Sequence, residues 1–491
     1  MIGKMRPGAL VCALVVAQIV AWTLAPTLSH TALPLDVVEG AFWGREGAIL
    51  SYKHPNLPGL LIEAAYRLTG AYGWPDYLLS QLFVGATYYL VYRLGRDLFG
   101  PVAGSAGALL LAGCFYFSWP TPEFNHNLAQ MPIWAAFAFV LWRAVASNAL
   151  ALWLIVGLVA ALGMYAKFST SVLLVAGVLW LLLDRRGRAC LATPRPWLGV
   201  ALFAAAMPPL AVHLARIDFL PLTYAASRSG VGTGIWSFFG AQVADIAGMP
   251  AIAGFAFLWP KRNSTNITNA AEAASVADRG RAGLFLAIIG LGPIAAVAAV
   301  AATFGAKQMW TAPMLNLVGL LIVLPLRRQL DRHVLGRVAA AALALTVILP
   351  LGYAGALIIQ PYLDAQRPPR ALWPQAALSR RMTAIWSEAT HSPLKIVGGD
   401  DWVAGLVGLD APDRPSLYTD LDLRLAPWIT PERVAYEGML VLWEDRGKGM
   451  PAAMQALAAG HSQGEESFAW SRSSKVPPLK IGYLIIPPTA P

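Results

Sequence analysis

The chain has 491 residues, of which 57% are hydrophobic and 13% charged, a composition that excludes a soluble globular protein of this length and identifies a polytopic membrane protein. Its net charge of +10 does not point to nucleic acid, because the basic residues fall in short clusters between apolar runs. Cys12, Cys114 and Cys190 show no paired spacing, so they offer neither a disulfide framework nor a zinc site.

In chain order, Lys4 and Arg6 precede an apolar stretch from Ala9 to Leu24. It is longer than a signal-peptide core and lacks a small-x-small cleavage site, so a retained transmembrane helix is expected. Next comes LDVVEGAFWGREGAILSYKHPNLPGLL, Leu35 to Leu61, which gathers Asp36, Glu39, Arg45, Glu46, Lys53 and His54 beside Phe42 and Trp43. Asp36 and Glu39 stand three apart and share one face if the stretch is helical. Pro55 and Pro58 turn the chain just after Lys53 and His54. Opposite charges gathered at a membrane edge suit an anionic substrate; a solvated loop is the plain alternative.

Further apolar runs, each near the roughly 20 residues that cross a bilayer, are Tyr77 to Leu94, Pro101 to Trp119, Leu128 to Ala146, Leu150 to Tyr165 and Ser169 to Leu183. They continue with Trp197 to Ala215, Phe238 to Trp259, Leu284 to Thr303, Trp310 to Leu326 and Val338 to Ile359, which makes eleven expected spans with the first. Ala166-Lys167-Phe168 forms a tight hairpin tip between two short spans. Alternate gaps carry Arg93 and Arg96, Arg143, Arg185, Arg186 and Arg188, Lys261 and Arg262 with Arg279 and Arg281, and Arg327, Arg328 and Arg332. The positive-inside rule assigns these gaps to the cytoplasm. The Asp36 loop, Glu123 to Asn127, Lys167, Arg216 to Gly230 and Lys307 then share the external face. Asn263 to Asp278 is polar and reads as a mobile cytoplasmic loop whose Asn-x-Thr triplets are irrelevant inside.

After Gln360 the apolar runs shorten. Leu394 to Gly399, Met439 to Glu444 and Lys480 to Pro487 read as strands, and MTAIWSEAT and PAAMQALAAG as helices. The expected organisation is therefore a transmembrane domain over 1–360, with a first external loop over 28–76, and an external α/β domain over 361–491. No internal repeat and no glycine-rich nucleotide fingerprint occurs.

An acidic pair after the first transmembrane helix, then a Lys-x-Pro element and an amphipathic segment, resembles the first external loop of GT-C membrane glycosyltransferases. It is most similar to glycosyltransferase family 39, which includes protein O-mannosyltransferases and the lipid A aminoarabinose transferase. The resemblance covers roughly residues 1 to 330. It implies an α-helical polytopic GT-C fold and an inverting transfer of a hexose or pentose from a polyprenyl-phosphate donor, on the periplasmic side of a bacterial inner membrane. The implied acceptor is lipid A, another glycolipid or a protein. Such transfer needs a base for the acceptor hydroxyl and fixed positive charge for the departing phosphate.

The resemblance makes Asp36 the candidate base and Glu39 its orienting partner or substitute. Lys53 and Lys167, the latter in GMYAKFST, become donor-phosphate ligands, with Arg228 and Lys307 as further external cations. The family's Glu-Lys-Pro is here Tyr52-Lys53-His54-Pro55, so the preceding carboxylate is absent, and Tyr52 and His54 are assigned to substrate binding. In PEFNHNLAQMPIW the same assignment falls on Glu123, Asn125, His126 and Asn127, the Asn-x-Asn form being similar to a bacterial branch; capping of the fourth span by Asn127 is the structural alternative. Asp36, Glu39, Glu123 and His126 could form an oxygen-rich site, but no spacing is diagnostic. No cofactor is expected, and a divalent metal is not indicated. The competing class is a transporter of a lipid-linked or anionic substrate, which would place ionisable groups within its spans.

Overall fold

The computed structural model describes residues 5–229, 234–258, 276–363, 366–473 and 475–489. Residues 263–275 of the polar loop expected at Asn263 to Asp278 lie outside them. The chain divides into two compact units, one of residues 1–24, 53–57 and 77–351, the other of 25–52, 58–76 and 352–491.

The first unit is helical. Over their described residues the eleven apolar stretches are largely helical, the Pro101 to Trp119 stretch giving way to short 3-10 turns after Leu110, because a chain in lipid must satisfy its backbone groups internally. Among the described residues, six helices are long and apolar enough to cross a membrane, from Pro7–Ser29 to Arg332–Leu363, or seven if the pair Ile235–Ile246 and Gly248–Leu258, bent by 46°, is one span. The other expected spans are the shorter apolar helices Pro101–Gly113, Leu150–Ala166 and Thr170–Leu183, together with Trp74–Phe99, where four tyrosines, Gln81 and Arg93 dilute the apolar run. Helix Leu150–Ala166 packs on Pro194–Ala206 through backbone contact: a Cβ on Gly157 would lie 2.1 Å from the Gly199 carbonyl oxygen. Gln308–Leu317 is a ten-residue 3-10 helix, introduced by Lys307.

Some polar groups within this unit are paired across helices. Gln18 donates to Gln81 and to the Phe117 carbonyl, both at 3.0 Å. Arg281 donates to Asp184 at 2.9 Å and lies over Trp142 and Trp180. Cys114 and Cys190 are buried free thiols, and Cys12 is exposed.

The second unit is built on a five-stranded sheet of order β2-β1-β3-β5-β4, with β1 Ile396–Gly399, β2 Ser416–Thr419, β3 Met439–Glu444, β4 Ser462–Phe468 and β5 Leu479–Ile486. β1 pairs in parallel with β2 and β3, and β5 runs antiparallel to β3 and β4. The three runs read as strands are β1, β3 and β5. One face carries the core of Ile396, Met439, Val441, Trp443, Met454 and Leu484.

This unit also contains the acid-bearing helix Leu35–Arg45. It packs on helix Val403–Asp410 because two glycines there leave room: a Cβ on Gly405 would lie 2.4 Å from Val38 Cγ1, and one on Gly408 2.8 Å from Phe42 Cζ. Arg45 closes the contact by donating to the carbonyls of Gly408 and Pro415 at 3.3 and 2.8 Å. Helix Leu57–Thr69 is tied in by Glu63, which takes Arg67 and Arg414, each at 2.8 Å. The Arg414 guanidinium lies 4.1 Å from the Tyr66 ring centroid.

Candidate functional site

The expected acidic pair stands on one helix. Asp36 is in the first turn of Leu35–Arg45, where a carboxylate meets the positive end of the helix dipole, and is partly buried. Glu39, one turn on, is buried. In the same unit Tyr52 donates from its hydroxyl to Asp401 Oδ2 at 2.9 Å, and its ring stands edge-on to Trp43, 6.0 Å between centroids. Burial first, and then the negative charges of Asp401, Glu39 and Asp420, push the Tyr52 pKa upward. It therefore stays a protonated donor.

The cations gather in the first unit. Lys167 ends helix Leu150–Ala166 and is buried, 8% exposed, so it does not reach out to water from a hairpin tip. Its Nζ donates to Asn127 Oδ1 at 2.6 Å. Gln130, one turn further along helix His126–Ser147, grips the same turn by donating to Thr170 Oγ1 at 2.8 Å and Ser169 Oγ at 3.1 Å. The cap of this helix is Asn125, whose side chain accepts from the N–H groups of Asn127 and Leu128 at 3.0 and 3.1 Å. Asn125 thus takes the capping role that sequence offered to Asn127, and leaves Asn127 to hold the lysine.

His54 stacks at a tilt on buried His126, 4.6 Å between centroids, and meets Tyr224 edge-on at 5.9 Å. Enclosure first, then the positive charges of His126, Lys167 and Lys53, push the His54 pKa well below its ordinary value. The imidazole is neutral at neutral pH. Lys53 and Lys167 thus both act electrostatically on one uncharged ring, an arrangement suited to an anion.

The remaining sequence candidates are more peripheral. Arg228 is exposed on helix Leu220–Ser229, its guanidinium 5.1 Å from the Tyr224 ring centroid. Glu123 is partly buried in the turn before Asn125, its N–H donating to the Pro120 carbonyl. Lys307 precedes Gln308, whose amide donates to both oxygens of buried Asp245 at 2.7 and 2.8 Å. Among the described residues, no three His, Cys, Asp or Glu side chains form a group that could hold a metal ion.

Sequence reasoning missed Asp401, Asp420, Gln130 and Asp245. A carboxylate inside the apolar run Phe238 to Trp259 was a readable signal for Asp245. Asp401 is 349 residues from Tyr52, and no local pattern joins them.

The family described as dolichyl-phosphate-mannose-protein mannosyltransferase matches residues 53–213. No curated protein matches the chain. Among solved structures, the crystal structure of ArnT from Cupriavidus metallidurans bound to undecaprenyl phosphate is similar over 96% of this chain and 97% of that chain, with 13% identity and a TM-score of 0.66. The apo form of the same protein is similar over the same shares, with 15% identity and a TM-score of 0.54. At such identities the likeness is one of fold.

Proposed function

We propose, on the premise that this chain is a GT-C membrane protein of the glycosyltransferase family 39 type, that it moves a sugar from a polyprenyl-phosphate donor to an acceptor hydroxyl outside the cytoplasm. The observation that carries the reading is Lys167: a buried ammonium, held by a neutral amide oxygen in the neighbourhood of Lys53 and the neutral His54. A phosphate oxygen brought among these cations would accept charge-assisted hydrogen bonds from them. The likeness to an undecaprenyl-phosphate-bound protein supports a lipid phosphate as the source of that oxygen.

The reaction is a single displacement. The acceptor oxygen bonds to the anomeric carbon as the bond from that carbon to the phosphate oxygen breaks, which inverts its configuration. Asp36 takes the hydroxyl proton, Glu39 orients Asp36, and Lys53 and Lys167 neutralise the polyprenyl phosphate that leaves, with Arg228 and Lys307 adding positive charge. Tyr52, His54, Glu123, Asn125, His126 and Asn127 contact the sugars. The acceptor class is a glycolipid such as lipid A, or a protein hydroxyl, at the periplasmic face of a bacterial inner membrane.

The test is transfer of labelled sugar from polyprenyl-phosphate donors by the purified chain. Asp36→Asn keeps shape but removes basicity, so turnover falls about 100-fold or more with donor binding retained, and Glu39→Gln costs less. Near-normal turnover in both variants would sink the assignment, whereas loss confined to Glu39→Gln would move the base to Glu39.

A further inference from the structure

The turn that carries Lys167 is closed by hydrogen bonds on both sides, all of them within the first unit. Gly163, in the last turn of helix Leu150–Ala166, accepts at its carbonyl the Lys167 N–H at 2.9 Å and the Thr170 hydroxyl at 2.8 Å. The Thr170 N–H returns to the Lys167 carbonyl at 3.1 Å. Thr170 can lie this close because residue 163 is glycine: a Cβ there would stand 2.5 Å from Thr170 Cγ2.

Gln130 grips the turn from the facing helix. Asn127 and Gln130 stand three apart on His126–Ser147 and so share a face. Asn127 Oδ1 accepts from the Lys167 ammonium at 2.6 Å. Gln130 Nε2 donates to Thr170 Oγ1 at 2.8 Å, and the same amide exchanges bonds with the Ser169 hydroxyl, 3.1 Å from Nε2 and 3.2 Å from Oε1. Gln130 and Thr170 are 0% and 1% exposed, so water does not stand in for these bonds when one partner is removed. Polar side chains that only join two helices in a membrane can do so at any level; this amide closes on the residues two and three past the lysine. A lysine stem carries much rotamer freedom. Here its root is pinned by Gln130 through Thr170 and its tip by Asn127, so the ordering is complete before a ligand arrives.

We infer that Gln130 is a positioning residue for Lys167: by clamping Thr170 it fixes the backbone from which the ammonium is presented to the donor phosphate. The inference rests on the proposed role of Lys167 toward a lipid phosphate.

The experiment measures binding of undecaprenyl phosphate and of the uncharged alcohol undecaprenol to the full chain, alongside sugar transfer. Gln130→Met keeps length and bulk, weakens the phosphate roughly fivefold, the scale of one neutral hydrogen bond, and leaves the alcohol unchanged. The donor KM rises by the same factor with kcat within about threefold. In a Lys167→Met background the Gln130 substitution costs nothing more, because no ammonium remains to be placed. Thr170→Val repeats the loss, whereas Thr170→Ser keeps the hydroxyl and most of the affinity. Should Gln130→Met fail to fold, the two Thr170 variants carry the comparison. Unchanged phosphate affinity in Gln130→Met, equal weakening of phosphate and alcohol, losses that add to those of Lys167→Met, or Ser no better than Val at position 170 would each overturn the inference. A wild-type chain that prefers the phosphate to the alcohol but transfers no sugar would overturn the transferase reading alone.

Discussion

Replacing Lys167 with methionine keeps the length and apolar contacts of the side chain and removes its charge. The residue is buried and its Nζ sits 2.6 Å from Asn127 Oδ1. A phosphate oxygen roughly 4 Å away, at an effective dielectric constant of about 20, would attract the ammonium by about 4 kcal/mol. Part of this is offset by desolvation of the anion, so the net is that of a charged hydrogen bond, about 1.5–3 kcal/mol, or roughly 10- to 100-fold in affinity. Titration of the full chain with undecaprenyl phosphate, and in parallel with the uncharged alcohol undecaprenol, reads this directly. Lys167→Met should weaken the phosphate and leave the alcohol untouched. Equal weakening of both would make Lys167 a packing residue, and no change in either would remove it from the donor site.

Three other outcomes are expected. His30, whose Nε2 lies 2.6 Å from the Tyr353 hydroxyl, has its pKa lowered to about 4 by burial and then by Arg472. Its neutral form therefore contributes stability that is whole above the unfolded value of about 6.5 and is lost as pH falls toward 4, by about 3 kcal/mol at most; thermal unfolding between pH 7 and pH 4 should show a slope that His30→Gln flattens. Gly405→Val drives a side chain into Val38 and should destabilise by about 1–3 kcal/mol, read as a lower unfolding temperature, whereas an unchanged one would mean the two helices part freely. A reporter fused after Gln360 should be active only outside the cytoplasm, and activity inside would refute the orientation drawn from the arginines.

The sequence announced helices through hydropathy, a local signal, whereas the spacing of Asp36 and Glu39 said only that the two acids share a face if their stretch is helical, which it is. Strands β2 and β4 went unread for opposite reasons: SLYT is four residues long, and SQGEESF is a polar edge whose pairing to β5 decides its conformation. The eleven apolar runs are largely helical, yet among the described residues six helices, or seven with the bent pair, are long and apolar enough to cross, because composition locates an apolar run but not where its helix stops, as at Gly113, Ala166 and Leu183. The burial of Lys167 depends on Asn127, 40 positions away, and a lysine between apolar runs reads equally as buried or as reaching water. The grip of Asp401 on Tyr52 was beyond any sequence window.

The segment Gln308–Leu317 keeps a 3-10 conformation over ten residues, well past the three or four residues usual for that form. A 3-10 helix rises about 2.0 Å per residue and an α-helix about 1.5 Å, so these ten residues span about 20 Å where α-helix would span about 15 Å. The difference is slack of about 5 Å wound into the backbone at no change in sequence. The bidentate hold of Asp245 on Gln308 pins one end of this stretch in its long form, and Asn316, donating to the Met131 carbonyl at 2.7 Å, pins the other. The Asp245 carboxylate therefore fixes the residue next to Lys307, and with it the point at which the long stretch begins.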